Sequence, residues 1–77
     1  MPHLTIKCFP RQLNQQQTEA LAQALSDVLQ VHLNCSEAAT SIALQYVQKQ
    51  DWKQQVWDRD IATQTEQLIK TPSYTPE

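Results

Sequence analysis

The sequence predicts an α/β domain, a β-α-β unit followed by a C-terminal helical segment, with its strands paired across a homodimer. Three observations carry this expectation. Apolar residues alternate with polar ones over 3–8 and every second residue over 42–47 is apolar, the pattern of half-buried strands. Between these segments Leu21, Ala24, Leu25, Val28 and Leu29 recur at helical spacing, which gives one apolar face. The chain has 77 residues, 40% of them apolar, and thirteen glutamines dilute the rest. A single domain of this size, 1–77, buries only about 60% of the surface its unfolded form exposes. Oligomerisation is a common way for so small a core to recover stability.

In the first strand His3, Thr5 and Lys7 point one way and Leu4, Ile6 and Cys8 the other. Pro2 stands just ahead of it, where a missing N–H does little harm. Phe9-Pro10-Arg11-Gln12 ends the strand. Asn14 with Gln17 three residues on reads as a capping box, and Asn34 suits a left-handed C′ position, so the helix is expected over 15–33. Ser36 can cap a short turn reaching Thr40. The second strand follows, parallel to the first by way of a right-handed crossover. Asp51 with Gln54 is expected to cap a second helical stretch reaching Lys70. It carries Trp52, Val56, Trp57, Ile61, Leu68 and Ile69 at less regular spacing, with a break at Asp58-Arg59-Asp60. Pro72 and Pro76 end order, leaving 71–77 as a loose tail.

Composition removes several function classes. Net charge is −2 without a basic stripe, which argues against nucleic-acid binding. No apolar run approaches the ~18 residues of a transmembrane helix, and polar residues interrupt the first strand where a signal peptide would be apolar. Two cysteines are too few for a disulfide scaffold, so a reduced, cytoplasmic setting is expected. The absence of glycine excludes phosphate-cradling loops, dinucleotide fingerprints and the serine nucleophile elbow. Cys8, Cys35, His3 and His32 lack metal-ligand spacing and read as ordinary small apolar cysteines and surface or helix-end histidines; no metal is expected.

Pro2 is the unusual candidate. Once Met1 is removed, the chain begins with a secondary amine attached to a strand. A terminal amine titrates near about 7.7–8.0, and desolvation by apolar neighbours pushes that value down. A base tuned near ~7 combines availability with strength. By itself a Met-Pro start is common and carries little weight.

The run Pro2-His3-Leu4-Thr5-Ile6-Lys7-Cys8-Phe9-Pro10-Arg11 gives that start its meaning, together with Ser41-Ile42-Ala43-Leu44-Gln45, Trp52, Trp57-Asp58 and Leu68-Ile69-Lys70 before Pro72 and Tyr74. In these stretches, over almost its whole length, the chain resembles the PptA-like branch of the 4-oxalocrotonate tautomerase family. The resemblance implies a tautomerase-like β-α-β fold, an amino-terminal proline base at Pro2 and keto–enol tautomerisation of 2-oxo acids. It further implies no cofactor and assembly as dimers or hexamers, of which a homodimer is expected here.

The chain departs from the 4-oxalocrotonate enzyme at Ala43, where that enzyme carries a substrate-binding arginine, and it lacks that enzyme's Gly-rich hairpin. This favours a monocarboxylate with an aromatic or apolar tail, a phenylpyruvate-type enol, over a dicarboxylate. Arg11 is the expected carboxylate anchor, the alternative being a solvated loop cation. Trp52 divides between pocket wall and plain core, whereas Trp57 and Tyr46 read as core; Phe9 could add to the wall. Arg11 and Trp52 follow the far ends of the strands, roughly 20 Å from Pro2. Two chains joined by antiparallel edge strands would bring them to the partner's Pro2. The competing reading is a non-enzymatic dimeric interaction module on the same scaffold.

Overall fold

A computed structural model describes residues 1–76. Strand β1 (His3–Cys8) leads into helix α1 (Gln15–Leu33), and strand β2 (Ser41–Tyr46) follows a short 3-10 turn at Glu37–Ala39. The strands are parallel, with His3 beside Ser41 and Cys8 beside Tyr46. Backbone bonds extend the ladder at both ends, from Ser41 N–H to the Pro2 carbonyl (3.2 Å) and from Val47 N–H to the Cys8 carbonyl (2.9 Å). The β-α-β unit is therefore present as the sequence predicts.

Helix α1 starts where its chemistry dictates. The Asn14 side chain accepts from Gln17 N–H at 2.8 Å and the Gln17 side chain accepts from Asn14 N–H at 3.0 Å, a complete capping box. The helix ends at Asn34, which adopts the left-handed conformation at φ 52°, ψ 53°. Leu25 and Leu29 are half-buried on the inward face. Ser36 caps the next turn with its carbonyl rather than its side chain, accepting from Ala39 N–H at 3.2 Å.

The C-terminal helical segment differs in detail from the expectation. Instead of a helix capped by Asp51, a 3-10 turn at Lys49–Asp51 runs through Trp52 into a π-helix over Lys53–Ile61. Its last turn closes with Ala62 N–H donating to the Trp57 carbonyl at 2.8 Å, five residues back. Trp52 and Trp57, like Val56 and Ile61, are five residues apart, so i→i+5 winding aligns side chains that α-helical winding would splay. The break falls at 62–64 rather than at Asp58-Arg59-Asp60, which lie inside the helix. Beyond it stands one further 3-10 turn at Thr65–Gln67.

Lys7 Nζ donates to Asp60 Oδ2 at 2.7 Å and ties the π-helix to the polar face of the sheet. Residues 71–76 form no helix or strand, yet the expected loose tail is fastened through Tyr74, described below. Glu77, the end of that expected tail, lies outside the described residues. No helix among the described residues is long and apolar enough to cross a membrane.

The interior is small. Val47 and Val56 are its buried apolar members, Val56 being 4% exposed, and none of the described side chains is sealed completely from solvent. The chain exposes 6338 Å², against about 4,800 Å² for a folded monomer of this mass. Its radius of gyration is 14.1 Å, where a compact chain of this length has about 11.5 Å. Val28 (54% exposed), Val31 (77%) and Leu33 (57%) leave apolar surface open on α1.

Candidate active site

The two ends of the sheet hold different chemistry. At the starting edge Pro2 is half-buried, and its carbonyl is fixed by Ser41 N–H. Beside it the His3 ring is held at both nitrogens. Nδ1 lies 2.7 Å from Ser41 Oγ and Nε2 lies 3.2 Å from Thr5 Oγ1. The Ser41 contact clamps β1 to β2 immediately after Pro2, and the Thr5 contact lies within β1, so the backbone leading to the proline nitrogen is not a fraying end. Ala43 pairs with Thr5 on the same face, about 10 Å along the strand from Pro2.

At the far edge the loop after β1, the loop after β2 and the C-terminal segment enclose an open groove of about 760 Å³. Arg11 and Trp52 both line it; Pro2 does not. Seven residues of extended chain from Pro2 to Phe9 span about 23 Å. The structure thus brings together the two residues expected to bind substrate and keeps them apart from the proline of their own chain.

The groove has an aromatic wall and a cationic rim. The rings of Phe9 and Trp52 meet edge to face, with centroids 5.1 Å apart and planes at 85°. Trp52 Nε1–H donates to the Tyr74 hydroxyl at 3.0 Å, and the Tyr74 ring rests on Trp57 with centroids at 5.3 Å. Four of the six cationic residues, Lys7, Arg11, Lys49 and Lys53, line the groove, and no acidic residue lines it among the described residues. Lys7 is committed to Asp60, and Lys53 lies 3.3 Å from Asp58. Arg11 and Lys49 form no ion pair among the described residues. An apolar wall beside uncompensated positive charge suits an anion with an aromatic body.

Tyr46, expected in the core, is 45% exposed and stands outside the groove. It pairs with Cys8 on the strand face away from Lys7 and Gln45. Trp57 is half-buried behind Tyr74. Lys49 is a groove residue that the sequence reading does not single out, and Tyr74, which carries part of the resemblance, receives no place in the site there. Both cysteines are free, and no group of three His, Cys, Asp or Glu side chains among the described residues is placed to hold a metal ion.

Comparison with known proteins gives this arrangement its context. A family described as "Tautomerase enzyme" matches residues 2–57, a match that starts at Pro2 and ends at Trp57. Tautomerase PptA of Enterobacter sp. (strain 638) is 48% identical over 75 residues, covering 97% of this chain and 99% of the relative. Tautomerase PptA of Escherichia coli O139:H28 (strain E24377A / ETEC) is 52% identical with the same coverage. The protein of that name from Escherichia coli K12 (DH10B) is 52% identical, with 96% of it covered. The matched segment contains the whole β-α-β unit, and the relatives extend the likeness through the C-terminal segment that completes the groove. The chain belongs to the tautomerase family, a family of isomerases.

Proposed function

We propose that this protein tautomerises the enols of 2-oxo acids that carry one carboxylate and an aromatic tail, with Pro2 as the general base after removal of Met1. The family match beginning at Pro2 is the observation that carries this reading. While Met1 is attached, the Pro2 nitrogen is a tertiary amide without basicity. Met1 is fully exposed, so its peptide bond is accessible to processing. The freed amine takes the proton of the enol hydroxyl. The oxygen lone pair re-forms the carbonyl as the enol double bond moves to accept a proton on carbon, delivered by the prolinium or by water. The oxygen charge that develops needs a fixed donor nearby, and Arg11 is proposed to hold the carboxylate beside it.

A homodimer is part of the proposal. Surface of roughly 1,500 Å² above the expectation for a monomer exceeds one chain's share, about 800 Å², of a standard interface. Both edges of a two-stranded sheet are open, and antiparallel pairing of edges closes one of them in each chain. Such pairing also sets the far edge of one chain against the starting edge of the other. The groove with Arg11 and Trp52 then faces the partner's proline.

The test compares two preparations of known intact mass, one beginning at Pro2 and one extended before it, in an enol-to-keto assay with phenylpyruvate. Turnover is expected only from the chain that begins at Pro2. Pro2→Ala, which keeps a primary amine as a base, should lower kcat by at least about tenfold; complete loss of a general base costs about 10²–10⁴-fold. Equal turnover by the extended and processed chains rejects the mechanism.

A further inference from the structure

Trp52 lines the groove, and its indole is held from two sides. An indole nitrogen donates and never accepts, so a half-buried tryptophan needs an acceptor at hand. Its acceptor here is the hydroxyl of Tyr74, contributed by a segment that forms no helix or strand. Tyr74 is itself seated on Trp57, which stands five residues after Trp52 and therefore on the same side of the i→i+5 winding. Phe9 packs edge-on against Trp52. The indole is fixed by a ring contact and by its N–H, and the second restraint comes entirely from the chain terminus.

We propose that Tyr74 is a positioning residue for Trp52 and that residues 74–76 form a wall of an aryl-carboxylate pocket, so that this stretch selects the tail of the substrate. Tyr74, Thr75 and Pro76 line the groove alongside Arg11 and Lys49. The Tyr74 O–H proton has no acceptor among the described residues. The proposal rests on the functional reading above only for the identity of the ligand.

The experiment uses 3-phenylpropionate as probe on the full chain carrying Pro2→Ala, with Tyr74 intact or replaced by phenylalanine. Tyr74→Phe keeps the ring on Trp57 and removes the hydroxyl that accepts from Trp52. Calorimetric titration should show the phenylpropionate Kd weakened about three- to tenfold, the loss expected for one hydrogen bond, whereas the weaker binding of propionate is unchanged. The Trp52 indole N–H resonance should shift and exchange faster with solvent. In the chain with Pro2 intact, the loss should fall on KM for phenylpyruvate enol rather than on kcat. A phenylpropionate Kd unaltered by Tyr74→Phe overturns the proposal, as does failure of the Tyr74-containing chain to bind the probe. The functional reading is judged separately. Turnover with no Tyr74 effect rejects the positioning role alone, and a Tyr74 effect on binding without any turnover rejects the tautomerase chemistry alone.

Discussion

Position 43 lies near the starting edge of the sheet, where we propose that it sets how much negative charge a substrate can carry. It pairs with Thr5, is half-buried, and presents only a methyl group on the face that also carries His3 and Ser41. A substrate carboxylate arriving there finds no fixed cation on β2. Ala43→Arg supplies a charge-assisted donor worth roughly 1.5–3 kcal/mol when well placed. The ratio of kcat/KM for a dicarboxylate enol to that for phenylpyruvate enol should therefore rise about tenfold or more, measured with both substrates on one preparation. An unchanged ratio would mean that position 43 does not face the substrate. The shared place of Arg11 and Trp52 at one end of the sheet is legible from the sequence, because each follows the end of a strand. That of Lys49 and Tyr74 is not. A lysine in a polar loop carries no local signal, Tyr74 enters the sequence reading only as part of the resemblance, and only the tertiary fold brings them to the same groove.

The secondary-structure elements divide the same way. Helix α1 is readable to the residue because its ends are set by local chemistry: Asn14 and Gln17 satisfy donors at the first turn, and Asn34 tolerates the left-handed cap. The π-helix is not readable by the same method. Apolar residues at 52, 56, 57 and 61 look irregular against a 3.6-residue repeat and fall into line only with i→i+5 winding. The segment has no side-chain cap at its start, and its tertiary partners are the Lys7–Asp60 ion pair and the buried Val56. The contrast can be measured in α1. Asn14→Ala should cost about 0.5–2 kcal/mol in urea unfolding. Gln17→Ala in the Asn14→Ala background should then cost clearly less than in the parent, because the two side chains form one reciprocal unit. Fully additive losses would show that the box does not act as a unit.

At the scale of the molecule, the distance between Pro2 and its expected binding partners is the feature with the largest consequence. Parallel strands put both chain starts at one edge and both exits at the other, so a β-α-β unit necessarily separates its N-terminus from the loops after β1 and β2. No rotamer change bridges about 23 Å. If Pro2 and the groove act on one substrate, they come from different chains. The open sheet edges and the apolar residues left exposed on α1 suit such pairing. Complementation tests it directly. Pro2→Ala loses the proline amine and Trp52→Ala loses the wall, so each homodimer should keep at most about a tenth of wild-type turnover. In a heterodimer, the intact proline of the Trp52→Ala chain meets the intact groove of the Pro2→Ala chain, which restores one of two sites. Random re-pairing makes half the dimers mixed, so about a quarter of wild-type activity should return. Arg11→Gln in place of Trp52→Ala provides a second pairing that leaves the aromatic wall intact. Subunit exchange is confirmed by native mass spectrometry on chains of different length. Exchange with no recovered turnover in either pairing would place the whole site within one chain.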